Sequence, residues 1–206
     1  MTHTHHLIGY IIAGGAARRM DGRAKVLLEV GGATVLARAI DRLRPQVDRI
    51  VLNTNLPASD FSAHGIEIIA DRPEGGEGPL AGLLTCLAHA AAQSPAPDAI
   101  LTVPGDCPFL PDDLVARLLE GMGDGDAAIA ASTGQIHPLT GLWRAGLLPR
   151  LQQATQVEGL RAARHWAAAI GAAEVEFPGE PFDPLFNINT PEDLVRAQAL
   201  AERFKL

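Results

Sequence analysis

Lysine is scarce in this chain of 206 residues, and so are cysteine and unbroken apolar sequence. Two cysteines, Cys86 and Cys107, are too few for a disulfide framework and fit a reducing compartment. The longest run without a charged side chain, residues 78–97, holds three prolines with His89, Gln93 and Ser94, so it makes a poor membrane span. At the N-terminus no basic region leads into an apolar core. The expectation is therefore no signal peptide, no membrane partner and a cytoplasmic location. Internal repeats are lacking, and so is any linker that would separate domains. The glycine- and proline-rich stretches 71–78 and 178–184 read as loops that line a site. One domain spanning 1–206 is expected. With 47% apolar and 20% charged residues, disordered and fibrous classes are excluded.

Positive charge is also in deficit. Seventeen basic against 24 acidic residues give −7, which argues against a general nucleic-acid binder. The balance is uneven: residues 1–50 carry eight basic and four acidic residues, and the rest of the chain nine and twenty. Lys25 and Lys205 are the two lysines. Arg18, Arg19, Arg23 and Lys25 fall within eight positions, next to a double glycine. One compact basic loop in an acidic chain points to a small polyanionic ligand.

Apolar patterning alternates between strand and helix. Residues 8–13 read as a buried strand, 34–44 as a helix closed by Pro45, and 49–53 as a second strand, which makes a βαβ unit. Further strands are expected at 66–70, 99–103, 127–131 and 174–177. A helix spans 79–92 with Pro79 at its first position. Asp112 is expected to cap a helix carrying Leu114, Val115, Leu118 and Leu119 on one face. Two more helices are expected between 145 and 170, divided near 157–159. Thr190 caps the last helix, with Pro191 first and Asp193 three after the cap. The class is α/β, with a mainly parallel sheet and helices on both faces.

In such sheets ligands bind beyond the carboxyl ends of the strands. The first strand runs into Gly14, Gly15 and the basic cluster. Glycines let backbone N–H groups approach a phosphate, and arginine and lysine supply charge. The G-x-x-x-x-G-K-[ST] phosphate loop is absent, and so is the G-x-G-x-x-G dinucleotide fingerprint, which counts against a nicotinamide-dependent oxidoreductase. On spacing alone, a glycine turn with a solvated basic run remains open. Asp106 follows an apolar strand and can hold Mg²⁺ or serve as a turn residue. Asp71 and Asn53 also end strands; Asp71 reads as an acceptor for guanine or ribose, or as a loop cap. Asn187 and Asn189 read as turn residues. Cys107, Trp143 and Trp166 read as packed in the interior.

The run A-G-G-x-x-x-R-M-x-G-x-x-K from Ala13 to Lys25 resembles the nucleotidyltransferases of the molybdenum cofactor guanylyltransferase family. Four later segments are similar in order and spacing: Gly78-Pro79-Leu80-Ala81-Gly82, Pro104-Gly105-Asp106-Cys107-Pro108-Phe109-Leu110-Pro111, His137-Pro138, and Asn187-Ile188-Asn189-Thr190-Pro191-Glu192-Asp193-Leu194. The resemblance covers nearly the whole chain and implies a single-domain, Rossmann-like nucleotidyltransferase fold. It implies transfer of GMP from GTP to the phosphate of molybdenum-bearing molybdopterin, with release of pyrophosphate. By motif, Ile12, Ala13, Gly14, Gly15, Lys25, Asn53, Asp71 and Asp106 contact GTP, and Asp106 holds Mg²⁺. Asn187 and Asn189 approach the pterin. Arg19 and Lys25 neutralise the triphosphate and, with Asp106, form the catalytic set. Molybdenum cofactor-handling proteins are the implied protein partners.

The chain departs from the family pattern at Ile12, where leucine is usual, at Ala17, where serine is often found, and at Asp21, where glycine is usual. It also has Ala24 where aspartate is common and Gly105 where cysteine is frequent. Two further readings compete: a CTP-dependent transferase acting on molybdopterin or an isoprenoid precursor, and a non-catalytic nucleotide or pterin carrier.

Overall fold

The first strand, β1 (Leu7–Ile12), is buried on both sides. Leu7 and Ile11 enter one apolar cluster, while Ile8 and Tyr10 enter another. That is the behaviour of a central strand covered on both faces. In this computed structural model, which describes residues 5–13, 24–72 and 78–206, β1 lies within a seven-stranded sheet. Its other strands are β4 (Arg49–Asn53), β5 (Glu67–Ile69), β6 (Ala99–Pro104), β7 (Ala127–Ser132), β8 (Gln135–Arg144) and β9 (Ala173–Phe177). The order is β5-β4-β1-β6-β8-β7-β9. All pairs are parallel except those of β8, which runs antiparallel to both β6 and β7.

Helices cover both faces. On one side lie α1 (Val35–Leu43) and α3 (Leu114–Met122), packing Leu36, Ile40, Leu114 and Leu118 against Ile11, Leu52, Leu101 and Val103. On the other lie α2 (Pro79–Ala91), α4 (Leu148–Gln152) and α5 (Ala163–Ala169). They bury Leu83, Leu87, Leu151 and Trp166 against Tyr10, Val51, Ile100 and Trp143. A third cluster forms where α6 (Pro191–Phe204) lays Ala197 and Ala201 on Val30, Val35, Phe109 and Ile188.

Local chemistry sets the element ends. Thr34 caps α1 by accepting from the Ala37 N–H at 3.1 Å. Thr190 and Asp193 form a reciprocal capping box on α6. Two expectations need correction. The N-cap of α3 is Asp113, and Asp112 pairs instead with Arg42, because the helix begins one residue later than the apolar spacing suggested. Between the first strand and the first helix, where no element was expected, the described residues hold a 3₁₀ turn, Lys25–Leu27, and a small hairpin of β2 (Glu29–Val30) and β3 (Ala33–Thr34). Gly31 and Gly32 turn that hairpin at φ 59° and 81°, the positive values a two-residue hairpin loop requires. The division between the helices after residue 145 is present: α4 runs into a π-helical turn, Gln153–Val157, before α5.

Candidate functional site

The carboxyl ends of β5, β4, β1 and β6 lie side by side and are laced together beyond the last paired residues. Register places Ile12 opposite both Asn53 and Pro104. Ala13 N–H donates to Asn53 O at 2.8 Å, Gly105 N–H to Ile12 O at 2.9 Å, and Thr54 N–H to Ile69 O at 2.8 Å. These bonds fix the point where the chain leaves each strand. A cleft of ≈ 230 Å³ opens there, lined among others by Ile12, Ala13, Lys25, Asp71, Asp106 and Asn189.

Lys25 stands in the 3₁₀ turn and is only 9% exposed. Its Nζ donates to Asn189 Oδ1 at 2.6 Å and lies 3.4 Å from Asp106 Oδ2. The other Asp106 oxygen accepts from Asn187 Nδ2 at 3.0 Å, and Ile188 N–H donates to Asp106 O at 3.0 Å. Residues 25, 106, 187 and 189 thus form one hydrogen-bonded hub, although up to 164 positions separate them in sequence. A buried ammonium needs such partners.

Asp71 occupies the opposite wall of the cleft. Its Oδ1 accepts from Asn53 Nδ2 at 2.9 Å, and its Oδ2 from Asn55 Nδ2 at 2.9 Å. Asn55 Oδ1 in turn accepts the Asp71 N–H at 2.9 Å. Asn53 is wholly buried and reaches the cleft through Asp71. Asn55, which sequence reasoning did not single out, completes the clamp. Thr85 of α2 holds the next backbone N–H, that of Arg72, at 3.1 Å.

Two glycines let the walls approach. A Cβ on Gly82 would sit 2.8 Å from Ile12 Cγ2 and 3.1 Å from Asn53 Oδ1, a buried oxygen with no hydrogen-bond partner among the described residues. A Cβ on Gly105 would lie 2.6 Å from Val26 Cγ1 and 3.0 Å from Ala13 Cβ. The chain therefore packs Val26 into the space that a side chain at 105 would need. Cys107, next along, is buried, and burial together with the Asp106 charge pushes its thiol well up, so it packs in the core. Trp143 and Trp166 are likewise interior.

Of the expected site residues, the structure brings together Ile12, Ala13, Lys25, Asp71, Asp106 and Asn189 in one cleft, with Asn53 and Asn187 directly behind or beside it. Gly14, Gly15, Ala17, Arg18, Arg19, Asp21 and Arg23 lie outside the described residues. Among the described lining residues Lys25 is the one cation, facing the carboxylates of Asp71 and Asp106. Among the described residues no group of three or more His, Cys, Asp or Glu side chains is placed to hold a metal. No described helix is long and apolar enough to cross a membrane.

Residues 9–172 match the MobA-like NTP transferase domain. The chain is 45% identical over 195 residues to the molybdenum cofactor guanylyltransferase of Rhodopseudomonas palustris strain BisB5, covering 94% of this chain and 93% of that protein. It is 43% identical to the protein of the same name from Rhizobium meliloti strain 1021, covering 92% and 89%. Among solved structures, molybdopterin-guanine dinucleotide biosynthesis protein A from Archaeoglobus fulgidus aligns with a TM-score of 0.72 at 24% identity, covering 95% of this chain and 99% of that one.

Proposed function

The chain belongs to the MobA-like NTP transferase family, and from that premise we propose that it transfers GMP from GTP to the terminal phosphate of molybdenum-bearing molybdopterin. The observation that carries this reading is the hub at the strand ends: a nearly buried Lys25 shared between Asp106 and Asn189. A phosphate oxygen of the acceptor attacks the α-phosphorus of GTP. The bond from that phosphorus to the bridging oxygen of the β-phosphate breaks, and pyrophosphate leaves with the electron pair. The attacking oxygen is already anionic, so no general base is needed. The protein contributes positioning and charge stabilisation.

Lys25 neutralises triphosphate oxygens, with Arg19 as a second cation, and Gly14 and Gly15 would offer backbone N–H groups to phosphate oxygens. The donor set of Asp106 suits Mg²⁺. Each of its oxygens keeps lone pairs beyond its contact with Asn187 or Lys25, and Mg²⁺ takes its remaining ligands from water and substrate phosphates. When bound, Mg²⁺ would supply the positive charge that one lysine cannot.

Guanine presents N1–H and the 2-amino group along one edge, and a carboxylate accepts that pair. Cytosine offers a single amino donor followed along the same edge by two acceptors, N3 and O2, which a carboxylate repels. Asp71, held by two amides, therefore selects GTP. Likeness to the 2-C-methyl-D-erythritol 4-phosphate cytidylyltransferase of Thermus thermophilus lies at 21% identity and concerns the fold. Both cysteines are free and buried, which fits the cytoplasm. The whole chain acts as one domain, and molybdenum cofactor-handling proteins receive its product. Thermal shift with GTP and CTP in the presence of Mg²⁺ tests the base assignment. Stabilisation by GTP that disappears in Asp71→Ala supports it, and equal stabilisation by CTP overturns it.

A further inference from the structure

A second cavity of ≈ 320 Å³ adjoins the nucleotide cleft and shares Pro79, Pro104 and Leu139 with it. Ile136 and Pro138 extend its apolar wall, and His137, Arg164 and Asn187 supply polar groups. Asn187 also donates to Asp106 Oδ1, so a ring seated here lies beside the carboxylate assigned to Mg²⁺.

A hydrogen-bond chain stands behind His137. Asp183 Oδ1 accepts from Ser132 Oγ at 2.7 Å and from the Leu185 N–H at 2.9 Å. An ionised carboxylate only accepts, so the hydroxyl proton of Ser132 is committed to Asp183. The Ser132 oxygen then has only lone pairs to offer His137 Nε2, 2.8 Å away, and Nε2 must be the donor. Ser132 is wholly buried, which leaves no solvent to rearrange this chain. The imidazole proton is thus fixed on Nε2. Nδ1 has no partner among the described residues and keeps its lone pair. Burial lowers the pKa of His137 despite the opposing pull of Asp183 and Glu176, which keeps the ring neutral.

We propose that His137 is a specificity-determining residue for the acceptor: its Nδ1 accepts an N–H on the edge of the pterin ring, and Ser132 and Asp183 are positioning residues that lock the required tautomer. The inference rests on the guanylyltransferase reading for the identity of the acceptor. A heteroaromatic ring with amide and amino donors and a carbonyl acceptor fits a cavity whose walls are largely apolar, where His137 presents a fixed acceptor and Arg164 and Asn187 add donors.

Two substitutions separate the ring nitrogens. In His137→Asn the side-chain amide reaches the place of Nδ1, and in His137→Gln the place of Nε2. His137→Gln, which keeps only the Ser132 contact, raises the KM for molybdopterin about tenfold, the loss of roughly one hydrogen bond. His137→Asn, which keeps an acceptor at Nδ1, stays within about threefold of the wild type on the same scale. Ser132→Ala raises the same KM, and the KM for GTP holds throughout. The reverse order of Asn and Gln, or a GTP KM that rises in step, overturns the proposal. Pterin fluorescence titration of the same proteins gives the affinity without turnover. If the wild type binds pterin but makes no dinucleotide, the guanylyltransferase reading fails and the titration order still decides the role of His137. If the wild type does not bind pterin, both fall.

Discussion

Lys25 carries the most at the level of single residues. It is one of two lysines in the chain, and it is the cation that the described cleft contains. Lys25→Ala removes charge stabilisation where the leaving pyrophosphate develops, and a single such donor contributes about 2.7–4 kcal/mol. Turnover measured by pyrophosphate release should fall about 10²–10³-fold; a value near the wild type contradicts the assignment. Asp71→Asn replaces one acceptor oxygen with an N–H donor that faces the donors of guanine. The KM for GTP should rise at least tenfold, on the order of 1.4 kcal/mol, while discrimination against CTP shrinks. Steady-state kinetics with both nucleotides checks this. Lys25, Asp71 and Asp106 were legible in the sequence because each follows an apolar strand or stands in a glycine-rich loop. Asn55, Ser132 and Asp183 were not. Their significance lies in partners 16, 5 and 51 positions away, and neither periodicity nor motif marks them.

Contacts between elements decide whether those residues meet. Helix α2 approaches β1 and β4 because residue 82 has no side chain. Gly82→Ala places a methyl 2.8 Å from Ile12 and against the Asn53 side-chain oxygen. Overpacking of this kind costs about 1–3 kcal/mol, and here it also displaces the amide that holds Asp71. Chemical denaturation should show that loss, together with a raised KM for GTP. At the start of α6, Asp193 accepts from the N–H groups of Asn189 and Thr190. Burial is the largest single influence and works against the charge, but these hydrogen bonds, with the Thr190 hydroxyl and the Arg196 charge, together outweigh it and hold the carboxyl below its ordinary value of 3.8. Its contribution to stability is therefore complete above that value and is lost as pH falls through the lowered one. Thermal melts of wild type and Asp193→Asn should differ at pH 7 and converge toward pH 3.

The capping box was readable from Thr190 and Asp193 because it is local. β8 was not readable as a strand: Pro138 and Gly141 interrupt its pattern, and a bulge at Ile129/Ala130 shifts its pairing. The hairpin of β2 and β3 has two residues per strand, too few to carry any alternation.

For the molecule as a whole, the alternation of strands and helices announced a mainly parallel sheet, and the sheet in turn brought the ends of four strands to one cleft. The insertion of antiparallel β8 next to β6 follows from long-range pairing, which local sequence does not encode. A cleft built from the ends of separate strands is stabilised by the ligand that bridges them. At a hundred times its Kd, GTP with Mg²⁺ should add about 2.7 kcal/mol and raise Tm by several degrees. Whether this cleft joins GMP to a pterin phosphate is read by mixing the protein with GTP, Mg²⁺ and molybdopterin and following pyrophosphate together with the dinucleotide product. The expected result is one pyrophosphate per dinucleotide, only when the pterin is present and only with GTP. Pyrophosphate release without pterin, equal turnover with CTP, or no dinucleotide at all would contradict it.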